Sequence, residues 1–366
     1  MTPFRKYLFL SFVVAALNAA LILIFFFPRF NHTDTAEYIS TIKYLAGEPG
    51  GEMVVYRFLK PLPILIGAAL TPILKAENTL IFQNLIFYFL SVWLVFLLVY
   101  RLYQNEKQAL YGTILYIGAY PMIAYGLASL TDLPGWFFYL WSSFVALGIL
   151  KNPNLKIAFW AGLIAGFGML FKENLGAAPI FFASFILIAV PLSFKEKIKY
   201  ISVFGLAFLF FPFINSIIFY NLYNYSYWNW FRAGGIHAKG ISGFYMISFS
   251  RIMVEIGRVL LIGWLFVLWG ILKEIILKNR ERIKILFSFL PPSFSVFLFW
   301  VYPHNRIIYI AFPLLVMLAS FGILRQGKNQ ILNNSIELAL VFLYVLMNYA
   351  VLEFLLKYGI FLQGKF

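Results

Sequence analysis

The stretch RKYLFLSFVVAALNAALILIFFFPRFNHTD, residues 5–34, decides how the chain is built. Two basic residues precede an apolar run from Tyr7 to Phe27, which exceeds the roughly 18 residues that a helix needs to cross a bilayer. No small-residue cleavage site follows, so the sequence predicts a retained membrane span and not a signal peptide. The chain then reaches Asp34, one of only two aspartates in 366 residues, just where it leaves the membrane.

Composition extends this prediction to the whole chain. Hydrophobic residues make up 62% of it and charged residues 12%, whereas a soluble domain is roughly a quarter charged. The alternating pattern of barrel strands is absent, which leaves helices as the elements that satisfy their own backbone polar groups in lipid. We therefore predict a single all-α, polytopic membrane domain over residues 1–366.

Apolar runs predict about eleven transmembrane helices. They lie near residues 7–27, 79–100, 109–127, 133–150, 157–171, 176–192, 200–220, 251–272, 285–301, 307–324 and 333–356. The segment 61–75 is short and has three prolines, which is typical of an interfacial or re-entrant helix. If this segment does not cross, the short basic loops all fall on the same side as Arg5 and Lys6, and the positive-inside rule places that side in the cytoplasm.

This topology separates two kinds of polar residue. The inner loops hold most of the basic residues behind the formal charge of +15, which suits anionic lipid headgroups; no basic–aromatic nucleic-acid motif occurs. The absence of cysteine excludes disulfides and thiolate chemistry. Both aspartates and all three histidines fall on the outer side, so the residue types suited to acid–base or metal chemistry are concentrated on one face.

The first outer loop, residues 28–78, is long and carries the first candidates. DTAEYISTIKYLAG, residues 34–47, fits an amphipathic helix lying in the interface. Asp34 is either an ordinary helix cap or a carboxylate that acts as a general base or binds a cation. Arg57 and Lys60 either hold a phosphate together or extend toward lipid headgroups.

The next two outer turns are short. Asp132 lies between Thr131 and Pro134, where it either caps a helix or joins Asp34 in a shared site. Lys172 and Glu173 lie between two apolar segments that are barely long enough to cross a bilayer. Ionisable residues at such a depth in the membrane are costly and usually functional. They form either a mutual salt bridge or, respectively, a phosphate contact and part of an acidic cluster.

The last two outer loops add aromatic and basic groups. Residues 221–250 combine dense aromatics with asparagines, which suits a sugar or polyisoprenoid surface, and Gly234, Gly235 and Gly240 would let this loop move as a lid. The same loop contains Arg232 and His237, which we include among the substrate-binding candidates. His304 and Arg306 share a tight turn, and Arg306 is either a phosphate ligand with suitable fork geometry or an interfacial anchor.

Five passages together resemble the integral membrane glycosyltransferases of the GT-C superfamily, nearest to the mannosyltransferase branches. The passages are HTDTAEY (32–38), YRFLKPLP (56–63), LTDLPGW (130–136), GLIAGFGMLFKENLG (162–176) and YPHNRIIYIAFPLL (302–315). The resemblance implies a polyisoprenyl-phosphate sugar donor and a glycan, lipid or protein acceptor. It also implies a site facing the periplasm, exterior or lumen, in a cell inner membrane or an ER-type membrane.

The resemblance assigns roles to individual residues. Asp34 would be the first-loop carboxylate that deprotonates or orients the acceptor hydroxyl. Asp132, with Glu173, would align with acids that bind a divalent metal such as Mg²⁺ or Mn²⁺ in some members, although no paired DxD motif occurs here. Inverting transfer needs a base and neutralisation of the departing phosphate, for which Arg306 with Arg57 or Lys60 is suited.

Two other classes of function fit a polytopic chain. A secondary transporter or lipid flippase for a polyprenyl-linked or glycolipid substrate would place ionisable residues near the bilayer midplane, whereas here they cluster at one interface. A non-catalytic membrane subunit could use the same fold as a scaffold. The resemblance implies a glycosyltransferase, and the two aspartates and their basic neighbours on one face favour surface chemistry over transport.

Overall fold

The computed structural model describes residues 2–26, 33–230, 232, 249–299, 308–325 and 329–357. Throughout these ranges the secondary structure is helical, without a strand, which confirms an all-α fold. Three predicted site residues, His237, His304 and Arg306, lie outside the described residues, as does most of the proposed lid.

Ten helices come from the first two-thirds of the described chain. They are α1 Pro3–Leu21, α2 Thr33–Ala46, α3 Val55–Phe58, α4 Pro61–Leu70, α5 Ala76–Tyr103, α6 Glu106–Ile117, α7 Asp132–Ala146, α8 Leu155–Met169, α9 Ala177–Ile188 and α10 Phe194–Tyr223. The remaining described helices are α11 Phe249–Leu260, α12 Gly263–Leu277, α13 Arg280–Ser288, α14 Leu290–Phe299, α15 Phe312–Ile323 and α16 Gln330–Lys357. Short π or 3₁₀ segments extend or join several of them.

Helix length and apolar composition confirm a polytopic membrane protein. Five stretches of the described chain are long and apolar enough to span a bilayer: Pro3–Phe26, Ala76–Tyr103, Asp132–Leu150, Phe194–Tyr223 and Gln330–Lys357. The pair Met253–Leu260 and Gly263–Leu277 adds a sixth if it is counted as one span. Shorter apolar helices such as α8 and α15 occupy other predicted spans, so a total of about eleven stays a prediction.

The predicted continuous span 251–272 is broken in the structure. Met253–Leu260 and Gly263–Leu277 meet at an angle of 84°, and Leu261 between them has a φ of +47°. The first half also carries a buried Glu255 that pairs with Arg258 at 3.3 Å. These two charged side chains make α11 amphipathic and unsuited to cross the hydrocarbon core alongside α12.

The bundle has a basic end. At the N-terminus of α1 the ring of Phe4 packs on Phe96 and Tyr100 near the C-terminus of α5, at 5.5 and 4.9 Å between centroids. Tyr103 at the end of α5 stacks on Phe321 and lies under the guanidinium of Arg282. The loops rich in lysine and arginine that follow α5 and α12 therefore lie at the same end as the basic N-terminus.

The other end holds the first loop. Helix α4 packs there against α2 and the beginning of α5, with Gly67 placed against Ile42 and Thr79. Its ten residues make a helix only about 15 Å long, half the thickness of a hydrocarbon core. A helix of this length is too short to cross that core, in agreement with the arrangement that positive-inside counting favours.

Helices α8 and α10 approach each other through glycines. A Cβ at Gly162 would lie 2.3 Å from the carbonyl oxygen of Phe204, and a Cβ at Gly166 would lie 2.3 Å from that of Phe208. Glycines four residues apart let two membrane helices pack backbone to backbone, where apolar side chains gain little over lipid tails. This contact fixes the position of the turn after α8, which contains Lys172 and Glu173.

Replacing Gly166 with alanine should destabilise the protein by about 1–3 kcal/mol, because the added methyl group forces two backbones apart. The measurement is thermal unfolding of the purified protein in detergent. Gly205→Ala is the matched control, since no atom lies within 4 Å of a Cβ at this position of α10, and it should be neutral or stabilising. Equal melting temperatures for Gly166→Ala and wild type would contradict the close contact.

Single cysteines can test the sidedness, because the chain has none of its own. Cysteine at Asn152, in the exposed loop before α8, should react with a membrane-impermeant maleimide only after the cytoplasmic side is opened. Cysteine at Glu52, exposed in the first outer loop, should react in intact cells. The reverse pattern would overturn the positive-inside assignment.

Candidate functional site

The first loop folds so that two carboxylates share one arginine. Asp34 lies in the first turn of α2, and its Oδ1 accepts a hydrogen bond from Arg57 Nη2 at 2.6 Å. Glu37, one turn further along, accepts from Arg57 Nε at 2.6 Å. Burial lowers the pKa of Arg57, but Tyr38, Asp34 and Glu37 raise it above its ordinary value on balance. Arg57 is therefore a fixed cation that orients Asp34.

Tyr56 completes this first group. Its hydroxyl donates a short hydrogen bond to Glu37 Oε1, while its ring lies 5.1 Å from the Arg57 guanidinium. Burial, together with the hydrogen bond to Glu37, raises the pKa of Tyr56 to about 12. The phenol thus stays protonated at neutral pH and holds Glu37 in place.

The second loop brings Asp132 to the turn after α8. Asp132 begins α7, is 1% exposed, and lies 3.2 Å from Lys172 Nζ through its Oδ1. Gly135 makes the approach possible, because a Cβ there would lie 2.8 Å from Lys172 Cβ and 2.5 Å from Asn174 Oδ1. The LTDLPGW passage therefore uses its glycine for a close contact between α7 and the turn that carries Lys172.

Lys60 forms a fourth ion pair. Its Nζ lies 2.8 Å from Glu173 Oε2 and 5.4 Å from the centroid of the Trp230 ring, and the residue is 3% exposed. Asn215 and Tyr227 both donate to the carbonyl of Leu59, at 3.0 and 2.9 Å, and so fix the backbone beside Lys60. The aromatic segment after α10 thus covers this pair.

Lys172 and Glu173, for which a mutual salt bridge was one of two alternatives, instead pair with different residues. Lys172 is extended, with φ −156° and ψ 134°, and successive side chains of an extended chain point to opposite sides. One side chain therefore reaches Asp132 and the other reaches Lys60. Arg57 and Lys60 likewise face different carboxylates and do not form a joint clamp in the structure.

Tyr38 lies among these ion pairs and was missed by the sequence analysis. It is 1% exposed, its hydroxyl is 3.1 Å from Thr131 Oγ1, and its ring faces the Arg57 guanidinium at 5.1 Å. Burial raises the pKa of Tyr38, but the positive charges of Lys60, Lys172 and Arg57 together lower it by more. The pKa of Tyr38 therefore falls below its ordinary value. The sequence does contain a signal for Tyr38, because residues 34 and 38 are one turn apart on the same helix face.

We call this group the Tyr38 cluster. It comprises Tyr38 with Asp34, Glu37, Arg57, Lys60, Asp132, Lys172 and Glu173. Arg57 joins Asp34 to the ring of Tyr38, and the Tyr38 hydroxyl lies 3.1 Å from Oγ1 of Thr131, the residue before Asp132, so contacts connect the two loops that carry the aspartates. The cluster contains four carboxylates and three cations, so its described part is not net positive.

The loop that carries Asp132 is held rigidly. Asn84 of α5 donates from Nδ2 to the carbonyls of Ala128 and Leu130, at 2.5 and 2.9 Å. Thr35 of α2 donates to the carbonyl of Ser129 at 3.2 Å. Irregular backbone at this depth would otherwise expose unsatisfied carbonyls, so these side chains both stabilise the loop and set its distance from α2.

The carboxylates do not fit a divalent metal. Asp132 and Glu173 each bind a lysine ammonium, and the described residues hold no group of three or more His, Asp or Glu side chains that could ligate an ion. Mg²⁺ and Mn²⁺ require several oxygen ligands in one shell.

Arg232, the remaining described candidate, is exposed after the aromatic segment.

Residues 61–215 match the family model described as dolichyl-phosphate-mannose-protein mannosyltransferase. The match identifies a glycosyltransferase domain of the GT-C type and confirms the resemblance predicted from the sequence. It runs from α4 into α10 and so includes Asp132, Lys172 and Glu173, whereas Asp34 and Arg57 precede it. A comparison with curated proteins found no match.

Removing one partner of the most deeply buried pair should be costly. Asp132→Asn leaves the Lys172 ammonium without its carboxylate, and we expect a loss of about 3–5 kcal/mol in the free energy of unfolding. The double variant Asp132→Asn with Lys172→Gln should recover much of that loss, since neither group is then charged. Thermal unfolding in detergent provides the measurement, and a double variant no more stable than the single one would show that the pair does not act as a unit.

Proposed function

We propose, from the GT-C type glycosyltransferase domain in residues 61–215, that this integral membrane enzyme transfers a hexose from a polyisoprenyl-phosphate donor to an acceptor hydroxyl. The family description favours mannose as the sugar. The reaction would take place at the end of the bundle opposite the basic loops, facing the periplasm, exterior or lumen. The observation that carries the proposal is the convergence of Asp34, Asp132 and Glu173, each with a basic partner, around Tyr38 at that end.

Asp34 is the proposed base. Its side chain is 22% exposed, whereas that of Asp132 is 1% exposed and enclosed between α7 and Lys172, so an acceptor can reach the first and not the second. A proton acceptor must be ionised, and a guanidinium partner favours the ionised form of a carboxylate. Asp132 is accordingly a positioning residue that anchors Lys172 and the second loop.

The transfer would proceed by direct displacement. The acceptor oxygen attacks the anomeric carbon and passes its proton to Asp34, while the bond from that carbon to the phosphate oxygen breaks and the phosphate keeps the electron pair. Arg57 orients Asp34 through Nη2, and Tyr56 keeps Glu37 in place on the other side of the guanidinium. No nucleotide is required, because a lipid phosphate leaves well once its charge is matched.

The departing phosphate needs cations that the described cluster has already paired. Arg57, Lys60 and Lys172 each bind a carboxylate, and four carboxylates outnumber them. We therefore keep Arg306 as the principal phosphate ligand, with Arg57, Lys60 and Lys172 contributing their field. His304, Arg232 and His237 are proposed to contact the sugar or the carrier from the remaining outer loops.

The proposed function is tested by incubating membranes that contain the protein with a panel of polyprenyl-phosphate sugars and analysing lipid and product by mass. Transfer of one hexose with release of polyprenyl phosphate is expected. Asp34→Asn should lower the rate by about 10²–10⁴-fold, because it removes a general base, while the protein still folds and inserts. Glu52→Gln is the matched control, since Glu52 is an exposed acid of the same loop outside the Tyr38 cluster.

Two results would contradict the proposal in different ways. Full activity of Asp34→Asn would remove the base assignment but leave the enzyme class intact. Movement of an unmodified lipid-linked sugar across sealed vesicles, without any change in its mass, would instead support the transporter or flippase alternative.

A further inference from the structure

A cavity opens at the basic end of the bundle, far from the Tyr38 cluster. It has a volume of about 430 Å³ and lies between α12, the end of α15 and the beginning of α16. Its polar lining consists of Lys273, Arg325 and Asn333, and its apolar lining includes Trp269, Ile276 and Phe321. The size is that of a site for a small ligand or a headgroup.

Lys273 is fixed in the wall of this cavity. Its ammonium donates to the carbonyls of Phe321 and Gly322, at 3.0 and 3.1 Å, and also to that of Leu324. These carbonyls form the C-terminus of α15, where a cation is favourable. The lysine thus brings a full positive charge to the cavity, but its three N–H donors are engaged by the protein.

Arg325 supplies the hydrogen-bond donors that a ligand in the cavity can use. Its backbone N–H donates to Glu337 Oε1 at 2.6 Å, which fixes the residue at the mouth of the cavity, and the residue is exposed. A guanidinium offers a planar fork that matches two oxygens of a phosphate. Arg325 can therefore bind an anion while Lys273 adds charge from behind.

The acids near the cavity are already neutralised. Glu337 is bound by the ammonium of Lys107 and by the hydroxyl of Tyr111, and Glu274 lies 2.7 Å from Arg282. Among the described residues, neither Lys273 nor Arg325 forms an ion pair. Two positive charges thus face one cavity, and within the described chain neither of the two side chains is in a salt bridge, although Glu337 accepts from the backbone N–H of Arg325.

The opening faces lipid and not only water. Trp269, Ile276 and Leu277 are exposed on the flank of α12 next to the cavity, on the surface that a bilayer would cover. A tryptophan with adjacent basic residues is typical of the headgroup level of the cytoplasmic leaflet. Basic pockets between membrane helices on that side recognise anionic lipid headgroups.

We propose that this cavity is a binding site for an anionic phospholipid of the cytoplasmic leaflet. Arg325 would bind the phosphate, Lys273 would add attraction, and an acyl chain would run along Trp269 and Ile276. A free phosphate ion shares the headgroup chemistry but makes no use of the exposed apolar flank. The site is at the opposite end of the bundle from Asp34, so the proposal does not depend on the transfer reaction.

The test uses the full chain in nanodiscs made of phosphatidylcholine with a minor share of phosphatidylglycerol. Native mass spectrometry then measures which lipid stays bound to the released protein. Wild type should retain phosphatidylglycerol in preference to phosphatidylcholine. Arg325→Gln should reduce that preference about fivefold, which corresponds to the ~1 kcal/mol that one basic residue contributes next to anionic lipid.

Arg280→Gln is the matched control, because Arg280 is an exposed arginine at the same end of the bundle and does not line the cavity. It should retain the wild-type preference, and both variants should unfold at the wild-type temperature. A second variant, Ile276→Asp, should also weaken lipid retention by placing a negative charge on the acyl-chain path.

Three outcomes would overturn the proposal. One is equal retention of the two lipids by wild type, and another is equal loss in Arg325→Gln and Arg280→Gln. The third is displacement of the bound lipid by inorganic phosphate at millimolar concentration, with Ile276→Asp unchanged, which would show a phosphate site instead of a lipid site.

Discussion

The structure depends on one constraint: an ionisable side chain enclosed in the bundle must have a polar partner, either a group of opposite charge or, as for Lys273, a set of backbone carbonyls. Lys172 with Asp132 and Lys60 with Glu173 meet this condition at one end of the bundle, and Lys107 with Glu337 meets it at the other. Each pair also joins elements distant in sequence, so the pairs act as fixed points between helices. Apolar packing cannot supply such specificity in lipid, since the tails are as apolar as leucine.

The same constraint gives the carboxylates of the Tyr38 cluster different roles. A fully enclosed carboxylate such as that of Asp132 stabilises the fold, because its neutralisation would remove the counter-charge of Lys172 in a site of low polarity. Asp34 lies nearer the surface and shares its arginine with Glu37. In the proposed function, the chemistry is therefore assigned to Asp34, which is more accessible than Asp132, and rigidity to Asp132.

Much of this could be predicted from the sequence, and the reasons for the rest are physical. The apolar runs and the basic loops follow from the bilayer itself, so the all-α polytopic fold and the presence of Asp34, Asp132 and Glu173 at one end are readable without coordinates. The ion-pair partners of these residues cannot be read from the sequence. Lys172 and Glu173 are adjacent in sequence yet face opposite sides, because the backbone is extended there. Tyr38 is uncharged at neutral pH, so a search for acidic and basic residues passes over it. The break between α11 and α12 depends on a single left-handed residue, Leu261, which no apolar pattern reveals.

Helix α5 joins the two ends of the molecule as one uninterrupted rod. Asn84 holds the carbonyls just before Asp132, and Tyr103 contacts both the Phe321 ring and the Arg282 guanidinium beside the cavity at the basic end. The two residues are roughly 28 Å apart along the helix axis. A tilt of this rod at its basic end would therefore also move Asn84 and the carbonyls that it holds just before Asp132.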